Sequence, residues 1–285
     1  MTLLIRSARP EDKPAVLELT RDIWEGHDYL PRVFDTWVQD PAGHFYVVEV
    51  DGKLAGLGRV SFPDPDEAWL EGGRVHPEYQ GLGLASVLFA YQMFVVRRSG
   101  VTVARFCTAS DNAPVHHLAK VHGFRRLADC LLWEAPAGGT FEARLLGAGE
   151  IPTAWEFIRE SPWYRLTGGL LCEGWVWHRL TLERLSARQQ AGQVWVWPAE
   201  GAWRGLLIAS EDLEYGDVTC GFIAGDQEAM IHLAESLRAW AVGRSEHVEA
   251  VIPEALEDAQ AAFGAGGYVL FTDLKQSLFE RRMRP

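Results

Sequence analysis

The sequence predicts a chain of the α/β (α+β) class built of two domains in tandem, residues 1–135 and 140–285. Three observations predict this. A chain of 285 residues with 48% hydrophobic content can bury more than one core. Apolar stretches in the first half alternate between strand and helix periods in the order β-α-β-β-β-α-β-α-β. After a Pro-Gly stretch at residues 136–140, the opening pattern starts again.

Each element has its own signal. "LLIRSA" from Leu3 reads as a strand, and "PEDKPAVLELTRDIW" from Pro10 as a helix with acids in its first turn and Pro14 placed early. "HFYVVEV" and "KLAGLGRVSF" flank Asp51-Gly52, a strong hairpin signal, and are expected to pair antiparallel. "AWLEGGRV" follows as the next strand. Leu84 to Arg98 reads as a long helix ended by Gly100. "VTVARFCTA" is rich in β-formers, "DNAPVHHLAKVHGF" is a helix capped by Asp111 or Asn112 and stopped at Gly123, and "RRLADCLLWEA" returns to the sheet.

The repeat rests on three anchors in one order. Arg6, Pro14, Glu18 and Leu19 correspond at a constant offset to Arg144, Pro152, Glu156 and Phe157. "DGKLAGL" from Asp51 has a counterpart in "EGAWRGL" from Glu200, and "HGF" at His122 in "GGY" at Gly266.

Composition excludes several classes of function. A net charge of −12 opposes any extended phosphate backbone, so neither nucleic acid nor an anionic membrane is an expected partner, whereas a cationic substrate is tolerated. The first residues lack a signal-peptide pattern, and the longest apolar run, residues 81–96, is too short to span a bilayer. Cys107, Cys130, Cys172 and Cys220 are widely spaced in apolar or small-residue segments, which suits reduced core thiols and a cytoplasmic location. The histidines have no zinc-like spacing, and no metal is expected.

The chemistry concentrates in "RVHPEYQGLGLASVLFAYQMFVV" from Arg74, where a glycine-spaced turn stands between a strand and a long helix. Such a turn frees backbone N–H groups for phosphate oxygens. A nucleotide P-loop is excluded, because Leu84 and Ala85 follow Gly83 where lysine and a hydroxyl residue are required. A dinucleotide fingerprint fits poorly, with Ser86 where glycine belongs and no acid about twenty residues on. Gln80, Gly83 and Ala85 instead follow Gln/Arg-x-x-Gly-x-Gly/Ala, preceded by Val75-x-Pro77. This resembles the acetyl-CoA loop of the GNAT acyltransferases.

The resemblance covers about Leu3 to Trp133 and includes a second motif, Asn112 followed by Gly123-Phe124. It implies domains that are mixed, mostly antiparallel sheets flanked by helices, and acetyl-CoA as cosubstrate without a metal. It also implies that Gly73, Arg74 and Val75 line the pantetheine arm, that the amides of Gly81, Leu82, Gly83, Leu84, Ala85 and Ser86 hold the pyrophosphate beside Gln80, and that Asn112 begins the helix beside the pantetheine. Many members carry a tyrosine acid where this chain has Ala119, and His116 is the nearest substitute on that helix face. Glu71 is the implied base and the N–H of Val75 the implied polariser of the thioester carbonyl.

Trp24, His27, Asp28 and Tyr29, in the segment that walls the acceptor pocket in this family, are the expected substrate residues, with Asp28 available to a substrate cation. The run from Asp28 to Pro31 resembles the same region in N-acetylhistidine synthases, though four residues do not fix a substrate. The expected activity is N-acetylation of a small amine or amino acid, with the oligomeric state left open. The alternative is a CoA-binding sensor or scaffold whose chemistry has decayed, which the alanine at position 119 favours. Opposite the glycine loop the second repeat carries Asp226 and Glu228, which would repel a pyrophosphate. Eight of the twelve tryptophans lie in this half, and packing is their expected role.

Overall fold

The computed structural model describes residues 2–212 and 216–283. Its chain divides into two compact units. Of the described residues, unit 1 takes 2–106, 114–125 and 280–283, and unit 2 takes 107–113, 126–212 and 216–279.

Unit 1 begins with β1 (Leu3–Ser7) and a 3-10 turn over Pro10–Asp12, which leads into α1 (Lys13–Thr20). The helix expected over residues 10–24 therefore stops early. Its last expected residues lie in a separate 3-10 turn, Ile23–Gly26, where Trp24 and Glu25 have φ of +48° and +58°, a left-handed backbone that ends any right-handed helix. Then follow α2 (Leu30–Gln39), β2 (His44–Val50), β3 (Lys53–Asp64) and β4 (Glu67–Val75). Asp51 and Gly52 both have positive φ, +49° and +78°, as the two-residue hairpin turn between β2 and β3 requires. β1 to β4 pair antiparallel in order. The apolar α3 (Leu84–Ser99) is the crossover to β5 (Val103–Ala109), which runs parallel to β4. α4 (Ala113–Val121) and β6 (Arg125–Pro136) complete the first repeat. The core of unit 1 is built on Val16, Leu30, Phe34, Trp37, Tyr46, Leu57 and Met93, all essentially inaccessible.

The second repeat runs through β7 (Arg144–Leu145), α5 (Ile151–Glu160), α6 (Pro162–Thr167), β8 (Leu170–Glu173), β9 (Val176–Arg179), α7 (Leu182–Gln190) and β10 (Val194–Trp197). β11 (Gly205–Asp212), β12 (Asp217–Gly225), α8 (Gln227–Ala241), β13 (His247–Pro253), α9 (Glu257–Ala265), β14 (Val269–Leu270) and β15 (Gln276–Arg282) finish it. In unit 2 the sheet runs from β7 through β10, β11 and β12 to β13, with β12 and β13 parallel and β6 antiparallel to β13.

The repeat is visible in side chains as well as in element order. Arg6 forms a forked pair with Asp12, and the Arg9 amide donates to that carboxylate at 2.8 Å. Arg144 forms the same fork with Glu150, and the Gly147 amide donates to it at 2.9 Å.

Packing does not divide the chain at residues 136–140. β6 ends the first repeat yet packs in unit 2 from Arg126 onward, while residues 280–283 pack in unit 1. There Glu280 accepts from Arg105 Nε at 3.0 Å and Arg125 Nη2 at 2.9 Å, and Met283 N donates to Thr102 O. The four cysteines are free thiols, three of them buried and Cys107 half-buried. Among the described residues, no helix is long and apolar enough to cross a membrane.

Candidate active site

The glycine loop of unit 1 ends in a bare helix start. Gly81 and Gly83 have φ of +76° and +80°, so the backbone turns twice through the left-handed region where glycine is strain-free. Gly83 is the N-cap of α3 and offers no side chain to the first turn. Ser86 N and Val87 N both donate to Gly83 O. The amides of Gly81, Leu82, Gly83, Leu84 and Ala85 donate to no acceptor among the described residues. Five adjacent donors at the positive end of a 16-residue helix form an anion cradle. A Cβ built at Gly81 or Gly83 would meet nothing within 4 Å, so the approach is open. Gln80, extended at φ −66° and ψ 150°, leads into the cradle.

β4 presents an open edge just before this loop. Its pairing with β5 lasts only from Glu67↔Val103 to Trp69↔Arg105. Beyond Trp69, β4 keeps β3 on one side and has no β5 partner on the other. His76 N donates to Ala55 O, so the antiparallel alternation turns the N–H of Val75 away from β3, toward the open edge. Gly73 is exposed, and a Cβ there would meet nothing within 4 Å. At Gly72 the register with β3 shifts, φ is +68°, and a Cβ would lie 2.8 Å from the Trp37 ring. Gly72→Ala is therefore expected to cost about 2 kcal/mol or more from backbone strain and overpacking, read as a fall in Tm and in denaturant midpoint.

Glu71 stands at this bulge, with its side chain only 10% exposed. Its Oε1 accepts from Arg59 Nη1 at 2.8 Å and from Ser61 Oγ at 2.7 Å, and both donors come from β3, where Arg59 is the register partner of Glu71. Among the described residues Oε2 has no hydrogen-bond partner. Burial pushes Glu71 above the usual carboxylate value, and the Arg59 charge and the Ser61 hydroxyl pull part of that back. Arg59 is itself shared: Nη2 donates to Asp40 Oδ2 at 2.5 Å, and the guanidinium lies over the Trp37 ring at 4.6 Å. Burial opposes ionisation of Asp40, but the Ala42 amide, Arg59 and the Gly43 amide hold it below its ordinary value.

The expected acceptor residues gather around Arg74. Asp28 takes Arg74 Nε at 2.9 Å and Nη2 at 3.3 Å, and also caps Leu30 N at 3.0 Å. The buried carboxylate of Asp28, which the sequence leaves available to a substrate cation, is thus clasped by a guanidinium of its own chain. Arg74 also lies over the rings of Trp24 at 4.7 Å and Tyr29 at 5.3 Å. Trp24 stacks on Tyr29 and remains 59% exposed, so it is a wall open to solvent. Burial raises the Tyr29 hydroxyl, with Arg74 and the Gly72 backbone opposing. His27 is exposed. Arg59, Ser61, Asp40 and Trp37 were not foreseen as site residues. The hairpin register alone could have found Arg59, directly opposite Glu71, whereas Asp40 has no sequence signal.

The second motif spans the start of α4 and the turn after it. Asn112 falls in unit 2, where its amide nitrogen donates to Thr108 Oγ1 at 3.0 Å. His116 lies half-buried on α4 in unit 1. Ala119 is fully buried, and its carbonyl accepts from Phe124 N.

Unit 2 treats the equivalent helix start differently. Asp226 caps α8 by accepting from Ala229 N at 2.9 Å, and Arg204 pairs with both Asp226, at 3.1 Å, and Glu228, at 2.7 Å. The dipole is thus satisfied internally. Against β12, a Cβ at Gly221 would lie 2.8 Å from Cys172 O, and Trp163 packs between Trp177 and Phe222. A Cβ at Gly73, by contrast, would meet nothing within 4 Å. Among the described residues no group of three or more His, Cys, Asp or Glu could hold a metal.

Comparison with known proteins adds independent findings. Residues 13–124 match the model of the Acetyltransferase (GNAT) family. The chain is 35% identical over 110 residues to a histidine N-acetyltransferase of Oreochromis niloticus, covering 38% of this chain and 33% of that protein. It is 33% identical over 115 residues to a mycothiol acetyltransferase of Thermomonospora curvata, covering 40% of this chain and 37% of that protein. The chain thus spans about a third of the length of these relatives. Among solved structures, a GCN5-related N-acetyltransferase from Sphaerobacter thermophilus shares the fold with a TM-score of 0.68 at 16% identity, over 99% of this chain and 96% of that one. A tandem GNAT protein from the clavulanic acid biosynthesis pathway does so with a TM-score of 0.57 at 14% identity, over 100% of this chain and 99% of that one.

Proposed function

We propose, from the GNAT domain that residues 13–124 carry, that this chain is an N-acetyltransferase acting with acetyl-CoA on a small amine or amino acid. Residues 1–135 are the catalytic repeat in this reading, and residues 140–285 a degenerate repeat that binds no CoA. The observation that carries the reading is the row of five unsatisfied amides from Gly81 to Ala85, set beside the open edge of β4.

Acetyl-CoA, when bound, supplies the acetyl group as a thioester. The cradle amides suit its pyrophosphate, and Gly73, Arg74 and Val75 offer backbone groups to its pantetheine arm. The N–H of Val75, facing the open edge, is the donor for the thioester carbonyl oxygen. An amine attacks only when neutral, and an aliphatic ammonium has a pKa near ~10 against ~8 for an α-amino group. Glu71 takes that proton. Its elevated affinity for protons and its unpartnered Oε2 both suit the task, directly or through one water. Trp24 and Tyr29 wall the acceptor, and the Arg74–Asp28 clasp holds that wall in place. His116 is the candidate donor to the departing thiolate, since Ala119 has no hydroxyl.

Release of free CoA thiol in the presence of an amine panel tests the reading. The panel includes histidine, for which a relative is named. Acetyl-CoA consumed only when an amine is present supports an enzyme. Binding without turnover on any amine supports the second reading, a CoA-binding sensor, which the buried Ala119 favours. Calorimetry is expected to show one CoA per chain, because Asp226, Glu228 and Arg204 occupy the helix start of unit 2. Two equivalent sites would refute the assignment of a degenerate repeat.

A further inference from the structure

We infer that Asp40, Arg59 and Ser61 are positioning residues that aim Glu71 and set the pH at which it takes up a proton, with Asp40 acting through the guanidinium it shares with Glu71. This rests on the reading of Glu71 as the base.

The geometry is built rather than incidental. Arg59 is buried, flattened against the Trp37 ring at 4.6 Å, and split between Glu71 Oε1 at 2.8 Å and Asp40 Oδ2 at 2.5 Å. A Cβ at Gly43 would lie 2.5 Å from Asp40 Oδ2 and 3.0 Å from Arg59, so glycine there keeps room for the pair. Gln92 of α3 pins the strands on either side by donating to Arg59 O at 3.1 Å and Glu71 O at 3.4 Å. With Ser61 on the same oxygen as Arg59, the carboxylate of Glu71 is held at one end and free at the other.

Charge counting shows why Asp40 matters. A buried carboxylate paired alone with arginine is held ionised and is a poor base. Here one guanidinium serves two carboxylates, so Glu71 receives only part of its charge and also feels the repulsion of Asp40. The other groups facing Glu71 do not alter that balance. Tyr29, before α2, is neutral with a raised value, and Arg74, further along β4, is neutralised by Asp28. The result is a carboxylate kept ready for a proton.

Replacing Asp40 with Asn removes the repulsion and releases Arg59 to Glu71, and both changes lower the proton affinity of Glu71. Ser61→Ala removes a hydrogen bond to the charged form and raises it. The test is the pH profile of kcat/KM with one amine for wild type, Asp40→Asn, Ser61→Ala and Glu71→Gln. We expect the acid limb to move down by about one pH unit in Asp40→Asn and up by about half a unit in Ser61→Ala. A loss of rate with the limb unmoved in both variants would show a merely structural role and overturn the inference. Should Asp40→Asn not fold, an unmoved limb in Ser61→Ala overturns it alone. Glu71→Gln separates the two levels: if that variant keeps the wild-type acid limb, the base reading itself is wrong, whereas a limb set only by the amine's own pKa, beside an unmoved Asp40→Asn limb, refutes only the tuning.

Discussion

Gly83→Asp is expected to weaken CoA binding severely in a protein that still folds. At φ +80° the site is left-handed, a region aspartate enters more readily than most residues, and no neighbour lies within 4 Å of the new Cβ. The folding cost is about 1 kcal/mol. Binding suffers twice. The new carboxylate caps α3 from the N-cap position and takes up the very amides that a phosphate needs, as Asp226 does for Ala229 N in α8. It also places a negative charge where the pyrophosphate must approach, and like charges at a recognition site cost several kcal/mol. A fall in affinity of about 10²-fold or more follows from these terms. Calorimetric titration, with the melting temperature measured in parallel, checks both halves. A folded variant with wild-type affinity would refute the loop assignment.

Glu71→Gln should lower turnover by about 10²-fold or more, the usual scale for loss of a general base, and leave CoA affinity near wild type. The amide keeps the shape and can still accept from Arg59 and Ser61, so folding is largely preserved. The signature is in the pH dependence. As the pH rises toward the amine's own pKa, free amine forms in solution, and the ratio of wild-type to variant rate shrinks. A variant with full turnover and an unchanged profile would leave positioning and water as the only aids to the reaction. Measuring an α-amino acid and an aliphatic amine side by side sharpens the test, because the defect should close at lower pH for the former.

How much of this was legible in the sequence depends on range. The glycine loop, its long helix and the hairpin at Asp51-Gly52 are local, and they stand where the residue pattern puts them. Glu71 was reached only through the resemblance, since nothing in "WLEGGRV" distinguishes a base from a solvent-facing acid. Its partners were hidden for different reasons. Arg59 and Ser61 alternate on a strand whose register with β4 is shifted by a bulge at Gly72, and bulges are not written in the period of the sequence. Asp40 sits at the end of α2, and its side chain finds Arg59 through tertiary packing alone. The guanidinium that clasps Asp28 was hidden because it comes from another element, β4. The early end of the first helix has a similar cause: two non-glycine residues take left-handed backbone there, against their intrinsic preference.

The residues that complete unit 1 carry a consequence for how the protein is made. Arg105 is 4% exposed and bridges Glu67, at 3.0 Å, and Glu280, at 3.0 Å. A ribosome delivers Glu280 only after the whole of unit 2, so the nascent first unit holds a buried guanidinium with half its partners for most of translation. Leaving such a charge half-paired in an apolar interior is costly, and nascent domains normally settle in the order of synthesis. Here the order is inverted. The unit that contains the glycine loop and Glu71 is the last to be finished, and a chain interrupted anywhere before residue 280 leaves the ribosome with that unit incomplete.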